Sequence, residues 1–218
     1  MPDTAIHRFP SPSLVFALTC LTSLIALLAG LVMSHTPKDV FAESGPIERL
    51  SALYLILSAG LLAVMSERGR WHQVVLVAAA GLRELDWDKA FTESGVLSLR
   101  LYSGDAPFIQ KAAGLLVLSL LIVAGIRLLR RDLGPWLRDL RAGRLAAWLI
   151  ALILAMHAVA KSLDGLGRKL APWGIDLAEW TNRLAGRSEE ALELIAAILI
   201  LQIVVLIRHK DGRQDGRA

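Results

Sequence analysis

Long apolar stretches alternate with short polar ones along this chain. Four of them, residues 13–33, 47–65, 112–129 and 143–160, are long enough to cross a bilayer. A spanning helix needs about 20 mostly apolar residues, because each residue adds about 1.5 Å. A fifth stretch, residues 191–207, qualifies if its helix begins at the acidic residues just before it. The pattern predicts an all-α transmembrane helical bundle that forms one domain over residues 1–218.

A sixth stretch, residues 71–82, is apolar but short. Its length as a helix is only about 18 Å, so the helix must continue through the charged residues 83–89 to cross. A half-span that turns back is the alternative. We predict six spans, at about residues 13–34, 46–66, 71–91, 111–130, 143–163 and 189–208.

The charges of the polar segments indicate an orientation. The N-terminal tail, residues 67–70, residues 127–144 and the tail after residue 207 together hold 13 Lys and Arg against 6 Asp and Glu. The rest of the chain holds 11 against 14. The positive-inside rule therefore places the first set, with both termini, in the cytoplasm. The net charge of +4 reflects these loops, so nucleic acid is not a predicted partner. Trp136 and Leu137 suggest a short helix lying on the inner surface.

Four charged segments fall on the opposite, extracytoplasmic side: residues 43–48, 83–89, 157–164 and 189–193. Because the spans are antiparallel, we expect these helix ends to meet around one polar pocket. Ionisable residues at membrane depth usually face protein or water and mark a functional path. The candidate site residues are Glu48, Glu84, Asp88, His157, Lys161, Asp164 and Glu193.

Part of this pattern also has a purely structural explanation. Glu48 follows Pro46 in the first turn of a helix, where an acidic residue complements the dipole. Glu189 and Glu190 follow Ser188 and resemble an ordinary helix start. Glu193 lies one turn further in, on the same face. The other ionisable stripe, residues 157, 161 and 164, has the i, i+4, i+7 spacing of one helix face.

The third span carries the densest set of charges. Glu84 and Asp88 are spaced i, i+4 and are predicted to face one way together. Ion pairs along the helix, such as Asp86 with Lys89, would neutralise the other charges. Glu84 and Asp88 then need a partner from another span, and Lys161 or Arg49 could supply it.

The residue types limit the metals and cofactors to be expected. Zinc prefers histidine and cysteine, but only His35 and His157 lie on the outer half, and Cys20 is in the middle of a span. Carboxylates suit a hard cation such as Mg²⁺ or Ca²⁺ instead. The candidate ligands for such a cation are Glu84, Asp88, Glu190 and Glu193. The same groups are suited to relaying protons or to general acid–base chemistry, so no cofactor is firmly implied.

Two longer connections, residues 91–111 and 170–186, mix apolar and polar residues. This amphipathic character predicts short interfacial helices on the side that holds the charges. Such covers suit a substrate that arrives from the lipid, and they equally suit plain interfacial packing. Membrane lipid is the predicted partner.

Two segments resemble known membrane proteins. ESGPIE at residues 43–48 and RELDWDKAFT at residues 83–92 resemble segments of uncharacterised bacterial multi-pass inner-membrane proteins. That resemblance implies a bacterial inner membrane and carries no activity. Glu48 and Ser51 also resemble the acidic residue and serine that alkaline ceramidase-type membrane hydrolases place near the start of a span. Those enzymes carry a His-x-x-x-His metal pair, which this sequence lacks, so zinc-dependent amide hydrolysis is not implied.

Three classes of function are consistent with these features. The leading one is an enzyme that acts on a lipid or lipid-linked substrate at the outer leaflet. The second is a proton- or cation-coupled transporter with Glu84, Lys161 and Glu193 on its path, although the sequence shows no internal repeat. The third is a non-catalytic membrane or assembly factor whose charges only hold the bundle together.

Overall fold

A computed structural model of the chain describes residues 10–33, 45–65, 69–92 and 94–215. Glu43 and Ser44 of the first motif lie outside these residues. The described residues form helices and no strand, so the predicted all-α class is confirmed. The helices are α1 (Pro12–Met33), α2 (Pro46–Met65), α3 (Trp71–Glu84), α4 (Trp87–Thr92), α5 (Leu99–Ser103), α6 (Phe108–Arg141), α7 (Leu145–Leu163), α8 (Leu166–Leu170) and α9 (Glu179–Asp215).

Among the described residues, five helices are long and apolar enough to cross a membrane: α1, α2, α6, α7 and α9. Helix α9 lies at the centre of the bundle. One of its faces packs Leu194 and Ile198 against Tyr54 and Leu55 of α2. Another face packs Ala196 and Ile203 against Ile153 of α7. Because α9 contacts both partners along its length, the ionisable residues of α2, α7 and α9 are held at fixed positions relative to one another.

Helix α3 is held against α2 on one side and α6 on the other. Gly81 lies so close to α2 that a Cβ atom added to it would be 2.9 Å from Cγ1 of Ile56. Near the other end of α3, the fully buried His72 places its Nε2 atom 2.7 Å from Oδ2 of Asp132 in α6. Contacts at both ends therefore fix the position and direction of α3.

The prediction of one continuous helix over residues 71–91 is wrong. Helix α3 ends at Glu84, Leu85 and Asp86 form a turn, and α4 begins at Trp87. Asp86 has a φ of 52°, in the left-handed region that aspartate tolerates better than most residues. Its carboxylate lies 2.6 Å from Nζ of Lys89, in the ion pair that the spacing predicts. Alone, the 14 residues of α3 extend only about 21 Å.

Two helices are longer than predicted. Helix α6 has 34 residues and runs through Pro135 and Trp136, where a separate short surface helix was expected. Helix α9 has 37 residues and begins at Glu179, about ten residues before the predicted start. Hydropathy marks where a chain leaves hydrocarbon, whereas a helix ends only where a cap or a breaker stops it. The far part of α6 is also tied to α7, because Trp136 Nε1 donates to the carbonyl of Ala147 at 3.1 Å.

Short elements occupy both amphipathic connections. Helix α5 covers the start of α6, and its Leu101 is fully buried where Gly114 allows a close approach. The Tyr102 hydroxyl donates to the carbonyl of Val96 at 2.7 Å, which closes the loop between α4 and α5. Helix α8 and a 3-10 turn at Ala171–Trp173 connect α7 to α9.

Candidate functional site

A lysine of α7 contacts two glutamates of α9. Lys161 Nζ lies 3.3 Å from Oε1 of Glu189 and 3.4 Å from Oε1 of Glu193. Asp164, which directly follows α7, is further from Lys161 Nζ, at 3.9 Å. Glu189 and Glu193 are only 14% and 13% exposed, whereas Lys161 is 44% exposed. The contact follows from helix periodicity, since Glu189 and Glu193 are one turn apart on the face of α9 that meets α7.

Helices α2 and α3 add further carboxylates to the same place. Glu193, Arg83, Glu48 and Lys161 all lie close enough to Glu84 to act on it electrostatically. Residues from α2, α3, α7 and α9 therefore lie within electrostatic reach of one another. We refer to these residues as the acidic cluster, which consists of Glu48, Glu84, Glu189, Glu190, Glu193 and Lys161.

Glu190 lies close to several other carboxylates of the cluster. Glu193, Glu48, Glu189 and Glu84 are all near enough to act on it electrostatically. Like charges at short range in a poorly hydrated place strongly disfavour simultaneous ionisation. Proton sharing among these carboxylates, or association with a cation, relieves that repulsion.

The helix-start explanation of Glu189 and Glu190 is wrong. Helix α9 begins at Glu179, so Glu189 lies about 15 Å along the axis, inside a continuous helix. The dipole effect falls off within the first turn, so it does not account for carboxylates at this depth. Glu48, by contrast, does lie in the first turn of α2, as the structural explanation requires.

His157 and Asp164 lie at the edge of the cluster. Glu193, Lys161 and Arg83 act electrostatically on His157, and Asp164 acts on Glu189. The predicted stripe of residues 157, 161 and 164 therefore does face α9.

Asp88 lies on the far side of the helix break. Its predicted common face with Glu84 does not form, because the turn at Leu85 and Asp86 reorients α4. Asp88 instead lines an apolar crevice together with Arg83, and its Oδ1 atom is buried without a hydrogen-bond partner among the described residues. In the part of the chain that the structure describes, no three His, Cys, Asp or Glu residues are grouped as metal ligands.

The crevice lies between α3, α4 and α6 and has a volume of about 510 Å³. Its wall is almost entirely apolar, with Arg83, Asp88 and Thr92 as the polar side chains. Arg83 belongs to both features, since it lines the crevice and also acts electrostatically on Glu84, Lys161 and His157.

Glu189 and Arg83 are not among the candidate site residues that the sequence predicts. The signal for Glu189 is its i, i+4 spacing from Glu193, which indicates a shared face. For Arg83 the spacing predicts only an ion pair with Asp86 in its own helix. Ser51, one of the two residues that carry the resemblance to ceramidase-type hydrolases, is buried, and its hydroxyl donates to the carbonyl of Ile47 at 3.1 Å.

Comparison with known proteins adds no family to this description. Neither a protein-family model, nor a curated protein, nor a solved structure matches the chain. The function must therefore be argued from the contacts described above.

Proposed function

We propose that the chain is a six-pass protein of a bacterial inner membrane, with both termini in the cytoplasm. The two resembling motifs and the basic loops support this location and orientation. The sixth pass is the broken helix formed by α3 and α4. His72 at its start contacts Asp132 of α6, and Arg83 at its end lines the crevice with Ala113 of α6. The broken helix thus runs beside α6 for much of that helix's length, and its end at Glu84 lies on the extracytoplasmic side.

We further propose that the acidic cluster is the active site of an enzyme that acts on a lipid or lipid-linked substrate. The observation that supports this most is the placement of Lys161 between Glu189 and Glu193, with Glu84 and Glu190 in electrostatic reach. Glu189, Glu190 and Glu193 lie inside α9, and Glu84 lies at the C-terminal end of α3, where a negative charge opposes the helix dipole, so helix capping does not explain these carboxylates. Ionisable residues between membrane helices pair with one another and commonly mark substrate pathways and proton relays.

The roles follow from the contacts. Lys161 orients Glu189 and Glu193 through its two ion pairs. Glu84 and Glu190 lie within electrostatic reach of each other and of Glu193, and carboxylates this close repel when all are ionised. Sharing protons within this group lets one carboxyl act as general acid and another as general base, so each of the three takes part in the proposed proton transfer. The site lies between membrane helices, and a substrate dissolved in the bilayer reaches it without crossing water.

A non-catalytic role is the second candidate, and the same ion pairs favour it. Lys161 joins α7 to α9, so the cluster also acts as a structural connection between two helices. Under this alternative, losing a carboxylate lowers stability and changes no lipid.

The experiment compares lipid composition before and after incubation with the purified protein. Wild type and single variants are reconstituted in liposomes made from a total bacterial membrane-lipid extract, and lipid species are quantified by mass spectrometry over time. We expect wild type to consume a lipid species and form a product. Glu193→Gln should slow this conversion by about 10²–10⁴-fold, the usual contribution of a general acid or base.

Glu179→Gln is the matched control, because Glu179 lies on the same helix but is 82% exposed and pairs with Arg183 outside the cluster. It should convert lipid at the wild-type rate. If wild type changes no lipid species, or if folded Glu193→Gln and Glu84→Gln both convert lipid as wild type does, the enzymatic proposal is refuted. A drop in melting temperature without any lipid conversion then supports the structural role.

A further inference from the structure

We propose that the crevice between α3, α4 and α6 binds one acyl chain of a phospholipid whose headgroup carries an amine or hydroxyl donor. This inference names a substrate class for the proposed enzyme, and in that respect it rests on the proposed function. Binding itself is measured without turnover, so the two proposals can fail separately.

The shape and lining of the crevice suit a hydrocarbon chain. Three small residues, Ala79 and Ala80 on α3 and Ala113 on α6, lie among larger apolar side chains in its lining, and the helices leave a gap of about 510 Å³ between them. That volume lies in the range of small-molecule sites, about 300–1,000 Å³. An apolar gap left empty forfeits dispersion contacts on every side, and a hydrocarbon chain restores them.

The crevice is accessible from the bilayer. Only 11% of the most apolar 18-residue stretch of α6 is buried inside the protein, so most of this stretch faces lipid. Phe91 and Leu97, at the rim of the crevice, are 70% and 61% exposed. An acyl chain therefore enters sideways from the hydrocarbon, whereas a water-soluble ligand would have to cross an apolar wall.

Arg83 and Asp88 give one end of the crevice a polar character that suits a headgroup. Arg83 supplies a guanidinium, which suits a phosphate. Asp88 lines the crevice, and its Oδ1 atom accepts no hydrogen bond from the described residues. This atom is enclosed by protein, so the carboxylate must rotate towards the crevice to accept a hydrogen bond from a ligand, and gaining that donor stabilises it. A phosphate for Arg83 and a neighbouring N–H or O–H for Asp88 describe a phosphoethanolamine- or phosphoglycerol-type headgroup. A choline headgroup carries the phosphate but has no such donor.

The position of Arg83 connects the crevice to the acidic cluster. Its charge acts on Glu84, Lys161 and His157 while its side chain lines the crevice. A phospholipid held there places its polar head beside the carboxylates of the proposed active site.

The test is native mass spectrometry of the delipidated full-length protein in detergent, titrated with phosphatidylethanolamine or phosphatidylcholine of identical acyl chains. Wild type should bind one phosphatidylethanolamine with about ten-fold preference over phosphatidylcholine, as expected for one hydrogen bond to a carboxylate. Ala113→Phe, which fills the crevice, should lose at least ten-fold in affinity for phosphatidylethanolamine. Ala155→Phe, at an exposed alanine of α7, should not. Asp88→Ala should bind both lipids equally.

Quenching of Trp87 fluorescence provides a second measurement, since Trp87 lines the crevice. It uses wild-type protein, in which the crevice is not altered. Phosphatidylethanolamine with brominated acyl chains should quench wild type more than Trp87→Phe. Three results would each overturn the proposal. They are equal quenching of wild type and Trp87→Phe, equal binding of the two lipids by wild type, and wild-type binding by a folded Ala113→Phe. Binding as described with no lipid conversion by wild type would refute the enzymatic function and leave the binding site supported.

Discussion

Replacing Gly81 with alanine is expected to separate α3 from α2. The added Cβ atom would lie 2.9 Å from Cγ1 of Ile56, 3.1 Å from Cβ of Leu55 and 3.3 Å from the backbone nitrogen of Ile56. Carbon atoms pack best at about 3.5–4.0 Å. Rotation of Ile56 relieves the first contact but not the other two, because a Cβ atom and a backbone nitrogen move only with their helix. Helix α3 must therefore retreat by about 0.5 Å.

The magnitude follows from two opposing effects. Overpacking of this kind costs about 1–3 kcal/mol. Alanine is also a better helix former than glycine by about 0.5–1 kcal/mol, which offsets part of the cost. Gly60→Ala on α2 is the matched control, since a Cβ added there meets nothing within 4 Å and only the helix-forming gain remains. The two variants should therefore differ by about 1–3 kcal/mol.

The assay is thermal unfolding in detergent, followed by the fluorescence of the purified protein. For a chain of this length, 1 kcal/mol corresponds to about 2–4 °C, so Gly81→Ala should melt about 2–12 °C below Gly60→Ala. Glu84 lies three residues beyond Gly81, so the same variant should also slow the proposed lipid conversion. Equal melting temperatures for the two alanine variants would refute the close approach of α2 and α3 and, with it, the positioning of Glu84.

The remaining predictions concern the helix break and the topology. Because Asp86 adopts a left-handed conformation, Asp86→Gly should retain wild-type thermal stability, while Asp86→Ala should lose about 1–2 kcal/mol. Asp86→Asn, which removes the charge but tolerates the same backbone, should lose less, and an Asp86→Ala as stable as the glycine variant would argue against the break. Reporter fusions after residues 105 and 180 should be extracytoplasmic and those after residues 69 and 135 cytoplasmic. A cytoplasmic signal at residue 105 would show that α3 and α4 do not cross.

The acidic cluster was predictable in part because helix periodicity and antiparallel packing act together. The spacing of His157, Lys161 and Asp164 identifies one face of α7, and the charge pattern indicates which helix ends meet. The partners within the cluster were less predictable. Lys161 contacts Glu189 and Glu193 directly, and it acts on Glu84 only at longer range. Which carboxylate reaches an ammonium depends on the rotation of each helix about its axis, and packing sets that rotation.

The pattern of apolar residues alone predicts the all-α class and the apolar helices that can cross a membrane, because hydrocarbon thickness sets the length of an apolar run. The sequence also determined which residue types are available for chemistry. The tertiary structure decided where the helices end and break. Helix α9 continues through Ser188 because no breaker stops it there, and α3 stops at Glu84 because Asp86 turns the chain with a left-handed backbone. The structure also separated Asp88 from Glu84 and opened the crevice beside Arg83. These outcomes depend on contacts between residues far apart in the chain, such as Gly81 with Ile56 and His72 with Asp132, which local patterns do not encode.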